Sequence, residues 1–420
     1  MNNIKNKLLN NIIKYAYNEN QYYKKLFDTN KINTDEIWTI NDLSRIPFLE
    51  KETIQKEFHQ IISNPYKKFP KNQSIEVRRT SGSTGEYLKI YWDIQDNLKS
   101  MLPLWRVRQR LYSIDPNMKY CRFYTVDYRG NKIQQPELEQ IALDGRLLSF
   151  YKAGLTYERL KECYEKILSF NPDWLNLQPS IAYLLAQVVK NYGLKIPSNL
   201  KYIELSGELL LKQYRKNITE VFNIDPVDLY GTSEVNGIAI ECKNKAMHIL
   251  NDNVIVEVVK NGTSVINEEG DIYITSLTSH AMPFIRYGTG DKGIISQEVC
   301  KCGNVSNILK LSSGRTGDFI VLGNGKQITN YILVGIIEYT NEYMSNVIEQ
   351  FQFIQTDICE FDVILVLKEE YKHWQMAVQK AFLKNVNDEN LVNAKWNFYF
   401  LDRILPDYET GKVQYFKKLK

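Results

Sequence analysis

A run of six glycine or hydroxyl-bearing residues, 80–85, constrains this chain more than any other feature of its sequence. The run carries almost no apolar surface, so it cannot form part of a core. Its glycines let the backbone turn tightly and approach a ligand, while its N–H and hydroxyl groups can surround one anion as a backbone nest does. Strand-forming residues flank it at 74–79 and 87–92. A polar loop between two strands, with Arg78 and Lys89 close in sequence, therefore indicates a phosphate-binding loop.

Two other interpretations of this loop have to be weighed. No Gly-Lys-Ser/Thr sequence closes it and no helical pattern follows at once, so it is not a Walker P-loop. A flexible surface loop remains the alternative, because runs rich in glycine and serine are common at surfaces.

The pattern of the remaining chain predicts an α/β fold. Helical periodicity covers residues 4–16 and 50–63. Between about 100 and 225, helical stretches such as 157–170 alternate with short strands such as 203–205, which favours a largely parallel sheet. Residues 254–274 instead predict antiparallel strands.

The last hundred residues predict a separate, smaller unit. A hairpin over 319–328 is followed by helix, strand, helix and strand, and the preceding stretch 314–318 has the composition of a loop. We expect a large N-terminal domain over residues 1–316, with α/β sheets and a β segment, and a small α+β domain over 317–420.

Charge and hydropathy exclude several classes of protein. The 420 residues include 53 basic and 49 acidic ones, a net charge of +4, which does not indicate binding to nucleic acid or to an anionic membrane surface. No apolar run is long enough for a membrane span, and the N-terminus has no apolar signal core. We therefore expect a cytoplasmic protein whose six cysteines are reduced.

Residues 230–234, directly after a short predicted strand, form a second motif. Tyr230 offers a flat face to a purine, Ser233 offers a hydroxyl group, and Glu234 offers the hard oxygen that Mg²⁺ prefers. An ordinary turn at a strand end is the alternative interpretation.

Three more motifs follow along the chain. Asp291, at the end of the glycine-containing segment 286–291, could accept hydrogen bonds from ribose hydroxyls, or simply cap a strand. Arg315 lies in the predicted inter-domain loop. Lys412 follows Gly411 close to the C-terminus, where a lone lysine is most often a solvated charge.

Individually these motifs are weak, but their order and spacing resemble those of the adenylate-forming superfamily, which includes acyl-CoA synthetases and adenylation domains. The closest resemblance is to the phenylacetate–CoA ligase family and to related capsular polysaccharide biosynthesis proteins. Residues 12–27 near the N-terminus and the segment 281–287 are typical of that branch. The resemblance covers essentially the whole chain.

The resemblance implies a reaction through an acyl adenylate, made from ATP and a carboxylic acid, with transfer to a thiol, CoA first. Glu234 would bind Mg²⁺, and Lys412 and Arg315 would act in catalysis. Lys412 would come from the small, mobile domain, which family members rotate between two half-reactions. The nucleotide would contact a larger set, in which Gly207 and Glu208 match the family pattern only loosely: Thr80, Ser81, Gly82, Ser83, Thr84, Gly85, Gly207, Glu208, Tyr230, Gly231, Thr232, Ser233, Asp291 and Arg315.

A metal site is the last prediction. Cys242 and His248 precede Cys300 and Cys302 by about fifty residues, all within the predicted antiparallel segment. Thiolate and imidazole in a set of four suit tetrahedral Zn²⁺, whereas four unrelated residues are the alternative. The phenylacetate–CoA ligase family has a similar pattern, which implies a closed, structural zinc site.

Three functions remain open. The leading one is a ligase that transfers the activated acyl group to CoA; the second transfers it to a carrier-protein thiol or to an amine. The third is a nucleotide-binding protein without catalysis. A homodimer is possible, and the sequence does not identify the acid.

Overall fold

The computed structural model describes residues 2–37, 39–67, 75–79, 88–124, 139–151, 157–313, 319–321, 327–329, 331–386, 391, 393–405 and 413–418. Its helices are α1 Asn2–Glu19, α2 Gln21–Thr29, α3 Lys51–Lys56, α4 Phe58–Ile61, α5 Ile94–Tyr112, α6 Tyr157–Phe170, α7 Pro179–Tyr192, α8 Lys212–Phe222, α9 Tyr331–Tyr343 and α10 Gln375–Asn385. Short 3-10 helices span Thr34–Glu36, Ile40–Arg45, Asn64–Tyr66 and Glu369–Trp374.

The strands form four separate sheets. They are β1 Ile75–Arg79, β2 Lys89–Asp93, β3 Tyr120–Tyr124, β4 Glu139–Ala142, β5 Leu147–Tyr151, β6 Trp174–Leu177, β7 Tyr202–Ser206, β8 Val227–Thr232, β9 Asn236–Glu241, β10 Met247–Ile249, β11 Val254–Lys260, β12 Thr263–Ser264, β13 Glu269–Ser276, β14 Tyr287–Ser296, β15 Ile308–Ser313, β16 Phe319–Val321, β17 Gln327–Thr329, β18 Ile348–Asp357, β19 Glu360–Leu367, β20 Lys395–Phe400 and β21 Phe416–Lys418.

The largest sheet has 13 strands in the order β12-β11-β13-β14-β15-β10-β9-β8-β7-β6-β3-β5-β4. Five neighbouring strands of this sheet are parallel: β8, β7, β6, β3 and β5. The strands on the other side of β8 pair antiparallel, in the order β9, β10, β15, β14, β13, β11 and β12. Helices α6, α7 and α8 connect β5 to β6, β6 to β7 and β7 to β8, the crossovers that parallel strands need. The predicted α/β class with an added β segment is confirmed.

The N-terminal helices pack against the antiparallel part of this sheet. The face of α1 formed by Leu9, Ile12, Ile13 and Ala16 is buried in a core that also contains β11 and β13. Asn20 caps α2 by accepting a hydrogen bond from the backbone N–H of Tyr23. The hydroxyl of Tyr23 donates to the carbonyl oxygen of Pro283 at 2.9 Å and accepts from the backbone N–H of Ile285 at 3.1 Å, which fixes α2 at the segment that leads into β14.

The C-terminal part has its own four-stranded sheet, in the order β20-β19-β18-β21, with α9 and α10. Its apolar side chains are continuous with those of α6, α7 and α8, so both parts of the chain share one hydrophobic core. The guanidinium of Arg403 lies 3.8 Å from the ring centre of Tyr157 on α6, which adds a cation–π contact to this interface.

Most element predictions agree with the structure. Helices 4–16 and 157–170 and the strands around residues 75–93 form as expected, but residues 50–63 form two short helices rather than one. The predicted loops at 80–85 and 314–318 lie outside the described residues, so the domain boundary stays a prediction. No helix among the described residues combines the length and hydrophobicity that crossing a bilayer requires.

Candidate active site

The candidate site lies at the carboxyl ends of β6, β7 and β8, where ligands of open parallel sheets usually bind. Gly207 follows β7 with φ of +85°, a conformation that glycine adopts without strain, and so turns the chain toward Glu208. Three buried polar atoms at this edge have no hydrogen-bond partner among the described residues: Gln178 Oε1, Ser180 Oγ and Thr232 Oγ1. Buried polar groups are normally paired, so this edge suits a ligand rich in polar atoms.

The turn between β8 and β9 carries the predicted residues 230–234. It is tight, since a Cβ added to Gly231 would lie 2.5 Å from the carbonyl oxygen of Asn236. Glu234 is 6% exposed. The hydroxyl of Tyr287, on β14, donates a hydrogen bond of 2.9 Å to Oε1 of Glu234. Among the described residues, Oε2 of Glu234 has no such partner and remains the candidate metal ligand.

Asp291 is joined to the same turn by a second hydrogen bond. The hydroxyl of Tyr230 lies 2.6 Å from Oδ2 of Asp291 and 3.4 Å from the hydroxyl oxygen of Thr289. Strands β8 and β14 are separated by β9, β10 and β15 in the sheet order, so the sheet has to curl for these side chains to meet. Glu234, Tyr230 and Asp291 therefore belong to one site.

The strands that flank the predicted phosphate loop are fixed at this turn. Arg78 on β1 donates to Oδ1 of Asn236 at 2.7 Å, and the indole N–H of Trp92 on β2 donates to the carbonyl oxygen of Ser233 at 2.9 Å. Arg78 also pairs with Glu76 at 2.8 Å. Its charge is therefore partly neutralised, and we interpret Arg78 as a link between the hairpin and the turn rather than as a phosphate ligand.

Several predicted residues cannot be placed. Residues 80–85, Arg315 and Lys412 lie outside the described part of the chain, so their roles stay predictions. The other predicted residues are described: Gly207 and Glu208 directly after β7, Tyr230, Gly231 and Thr232 at the end of β8, Ser233 and Glu234 in the turn that follows, and Asp291 within β14.

Glu208 has two partners that the sequence did not reveal. Its Oε2 accepts a hydrogen bond of 3.0 Å from the backbone N–H of Ser180, in the first turn of α7. Its Oε1 accepts one of 3.2 Å from the backbone N–H of Val413. A carboxylate is well suited to the first position, because a helix N-terminus carries free N–H groups and partial positive charge.

A compact group of metal-ligating residues lies in the antiparallel part of the sheet. The ligand atoms of Cys242, His248, Cys300 and Cys302 all lie within 4.8 Å of one another. The sulfurs of Cys242 and Cys300 are 3.7 Å apart, and Cys302 Sγ lies 3.3 Å from Nε2 of His248. Tetrahedral bonds of about 2.3 Å to zinc place two sulfurs about 3.8 Å apart, so the geometry suits that ion.

The surroundings of the cluster also suit a cation. Nδ1 of His248 lies 3.0 Å from the carbonyl oxygen of Ser306, which leaves Nε2 free to bind a metal. The backbone N–H of Cys302 lowers the pKa of Cys300 to about 6, whereas burial raises the pKa of Cys242 to about 11. A bound cation would favour the thiolate form of these cysteines.

Tyr287 and Thr289 are the contributors that the sequence patterns missed. Both lie in the segment 286–291, to which the sequence had already drawn attention because of Asp291. The sequence did not indicate which side chains the two hydroxyl groups contact. Which hydroxyl reaches which carboxylate depends on the curl of the sheet, and that is a property of tertiary structure.

Comparison with known proteins supports this description. Residues 321–418 match the CapK C-terminal domain family. Over 325 residues the chain is 26% identical to a phenylacetate–coenzyme A ligase of Thermus thermophilus, covering 75% of this chain and 70% of that protein.

Solved structures show the same fold. The chain superposes on 2-hydroxyisobutyryl-CoA ligase in its postadenylation state, in complex with an acyl-AMP, with a TM-score of 0.75 and 16% identity over 98% of this chain and 88% of that one. The same ligase in the thioesterification state, with CoA, gives a TM-score of 0.63 and 17% identity over 99% and 88%. The fold is that of the adenylate-forming ligases, and the resemblance inferred from sequence is confirmed.

Proposed function

We propose that this relative of the phenylacetate–coenzyme A ligases activates a carboxylic acid with ATP and transfers the acyl group to the thiol of CoA. The observation that carries the proposal is the convergence of Tyr230, Glu234 and Asp291 at one edge of the sheet, joined by two tyrosine–carboxylate hydrogen bonds. The similarity to named CoA ligases over three quarters of the chain supports the same activity.

The chemistry explains why such residues are needed. In the first step a carboxylate oxygen attacks the α-phosphorus of ATP, forming a P–O bond while the bond to the pyrophosphate oxygen breaks. In the second, a thiolate attacks the acyl carbon and AMP leaves. Both partners of the first step are anions, so cationic and hydrogen-bonding groups must offset their repulsion and hold them in line.

The described residues suit these tasks. Glu234 would supply an oxygen to Mg²⁺, which would neutralise phosphate charge. Asp291 would accept hydrogen bonds from the ribose, with Tyr230 fixing its carboxylate and offering its ring to adenine. The hydroxyl of Thr232, which has no hydrogen-bond partner among the described residues, would be available to a nucleotide group. Loop 80–85, Arg315 and Lys412 would complete the site, as the family resemblance implies.

We also propose that Cys242, His248, Cys300 and Cys302 bind a structural zinc ion. All four positions would be filled by protein ligands, which leaves none for a substrate or a reactive water. The ion would bind β9 and β10 to the loop before β15 and so support the curl that brings β14 to β8.

ATP–pyrophosphate exchange across a panel of acids tests the first step. The proposal expects acid-dependent exchange that requires Mg²⁺, and thioester formation when CoA is added. No exchange with any acid would favour a non-catalytic nucleotide-binding protein. Exchange without a CoA thioester, but with acylation of an amine or a carrier protein, would identify the alternative acceptor.

A further inference from the structure

Glu208 connects two parts of the chain that are more than two hundred residues apart. Its carboxylate bridges the first turn of α7 and the backbone N–H of Val413. The residue at the N-cap of α7, Gln178, makes no side-chain capping bond, so Glu208 supplies the missing acceptor from another loop. One oxygen is thus held by the large domain, and the other is presented to the C-terminal segment.

The other end of that segment is anchored to the small sheet. The side chain of Gln352 on β18 donates to the carbonyl oxygen of Gln414. The backbone N–H of Phe353, also on β18, donates to the carbonyl oxygen of Tyr415 at 2.7 Å. Strand β21 then continues parallel to β18. Residues 413–418 are therefore anchored to the small sheet, and the bond from Val413 to Glu208 joins them to the loop after β7.

We propose that Glu208 is a positioning residue that holds the backbone immediately after Lys412 against the large domain during acyl-adenylate formation. Its carboxylate accepts from the backbone N–H of Val413, the residue that directly follows Lys412 in the sequence. Any movement that carries β18 away from α7 breaks this bond but leaves the contact with Ser180. Glu208 therefore favours the domain arrangement of the first step without contributing to the second.

The kinetic part of this inference rests on the proposed two-step reaction. A positioning role of Glu208 can be told apart from a role in binding adenine. Loss of a nucleotide contact raises the KM for ATP, whereas loss of a positioning contact lowers kcat. A hydrogen bond to a charged group is typically worth about one to two powers of ten in an equilibrium or rate.

Two measurements on Glu208→Ala and Glu208→Gln test the proposal. In the first, hydrogen–deuterium exchange at the amide of Val413 is followed with overlapping peptides that begin before residue 411. We expect Glu208→Ala to speed this exchange about tenfold, with α9 unchanged, because the amide loses its acceptor. Glu208→Gln should give a smaller effect. Unchanged exchange at Val413 would overturn the contact, whether or not any activity is found.

In the second measurement, pyrophosphate exchange is compared with thioester formation from a supplied acyl adenylate. Glu208→Ala should lower kcat for adenylation at least about tenfold, with the KM for ATP and the second half-reaction changing less than about threefold. Equal loss in both half-reactions, or a change in KM alone, would overturn the positioning role. Glu220→Ala, which removes an exposed glutamate of α8 paired with Lys216, serves as the matched control. Inactive wild-type protein would instead count against the proposed function.

Discussion

The hydroxyl of Tyr287 lies 2.9 Å from Oε1 of Glu234, although the strand of Tyr287 is separated from β8 by three others in the sheet. This bond fixes the carboxylate that we propose as the magnesium ligand. Tyr287→Phe keeps the ring and removes only the donor, so we expect adenylation to fall about tenfold and the Mg²⁺ requirement to rise. Both are measured by pyrophosphate exchange at varied Mg²⁺.

Tyr273→Phe is the matched control for that variant. The hydroxyl of Tyr273 donates to Oε1 of Glu50 at 2.8 Å, an equivalent bond outside the proposed site, and its loss should leave adenylation within about twofold of wild type. Equal effects of the two substitutions would mean that Tyr287 stabilises the fold rather than the site.

The bond between Tyr230 and Asp291 predicts a separate effect on nucleotide affinity. Tyr230→Phe leaves a ring for adenine but removes the hydrogen bond to Oδ2 of Asp291, so the KM for ATP should rise about fivefold to tenfold with a smaller change in kcat. Tyr230→Ala should raise it further, because stacking is lost as well. If the two variants behave alike, the ring has no role in binding.

Lys412→Ala should abolish adenylation and leave thioester formation from a supplied acyl adenylate largely intact. The reason is that the family resemblance assigns Lys412 to a small C-terminal domain and to the first step only. Lys417→Ala, five residues further along the same segment, is the control. Comparable losses in both half-reactions would contradict the assignment.

The zinc proposal predicts one equivalent of metal in purified protein. Cys242→Ser should reduce the metal content below about half an equivalent and lower the Tm by several degrees, because metal binding contributes to folding stability. Cys359→Ser, which changes a cysteine outside the cluster, should retain the metal. Elemental analysis and thermal denaturation measure both. Full metal content in Cys242→Ser would argue against this residue as a ligand.

Asp228 makes the stability of the protein depend on pH. Burial, and then the charge of Glu241, raises the pKa of Asp228 to about 7, whereas an unfolded chain has a value of about 3.9. Between these values the folded state holds a proton that the unfolded state has lost. The associated stability is complete below about pH 4 and is lost as the pH rises toward 7.

Asp228→Asn should therefore stabilise the protein more at pH 8 than at pH 5. Because the side chain is partly exposed, we expect a difference of about 1–2 kcal/mol in the free energy of unfolding, less than full linkage would give. Asp225→Asn is the control: hydrogen bonds from Lys245 and Arg215 outweigh burial and lower the pKa of Asp225, so its effect should be equal at the two pH values. Denaturant titrations of both variants at pH 5 and pH 8 measure these differences in the free energy of unfolding.

Sequence patterns located much of this architecture because its signals are local. Helix 157–170 follows from the spacing of its apolar residues, and the strand at 254–259 from its β-branched run. The four candidate metal ligands could be grouped because they fall in two short pairs within one predicted antiparallel segment, although about fifty residues separate the pairs.

What could not be predicted depends on contacts between distant segments. Tyr287 was overlooked because its partner lies 53 positions away across a curled sheet. Glu208 was associated with the nucleotide through the family resemblance alone, while its bond to Val413 spans 205 positions. Long-range pairing of this kind is set by how sheets and domains assemble, and no short motif encodes it.

The hydrophobic core shared by α6, α7, α8 and the small sheet has a thermal consequence. If the small domain turns away from these helices, apolar side chains become hydrated, and their hydration carries a positive heat capacity. Attraction between the two bodies then weakens on cooling. Low temperature should therefore increase the fraction of molecules in which the two parts are separated. Calorimetry of the protein without substrates should detect this change in heat capacity well below the temperature of unfolding.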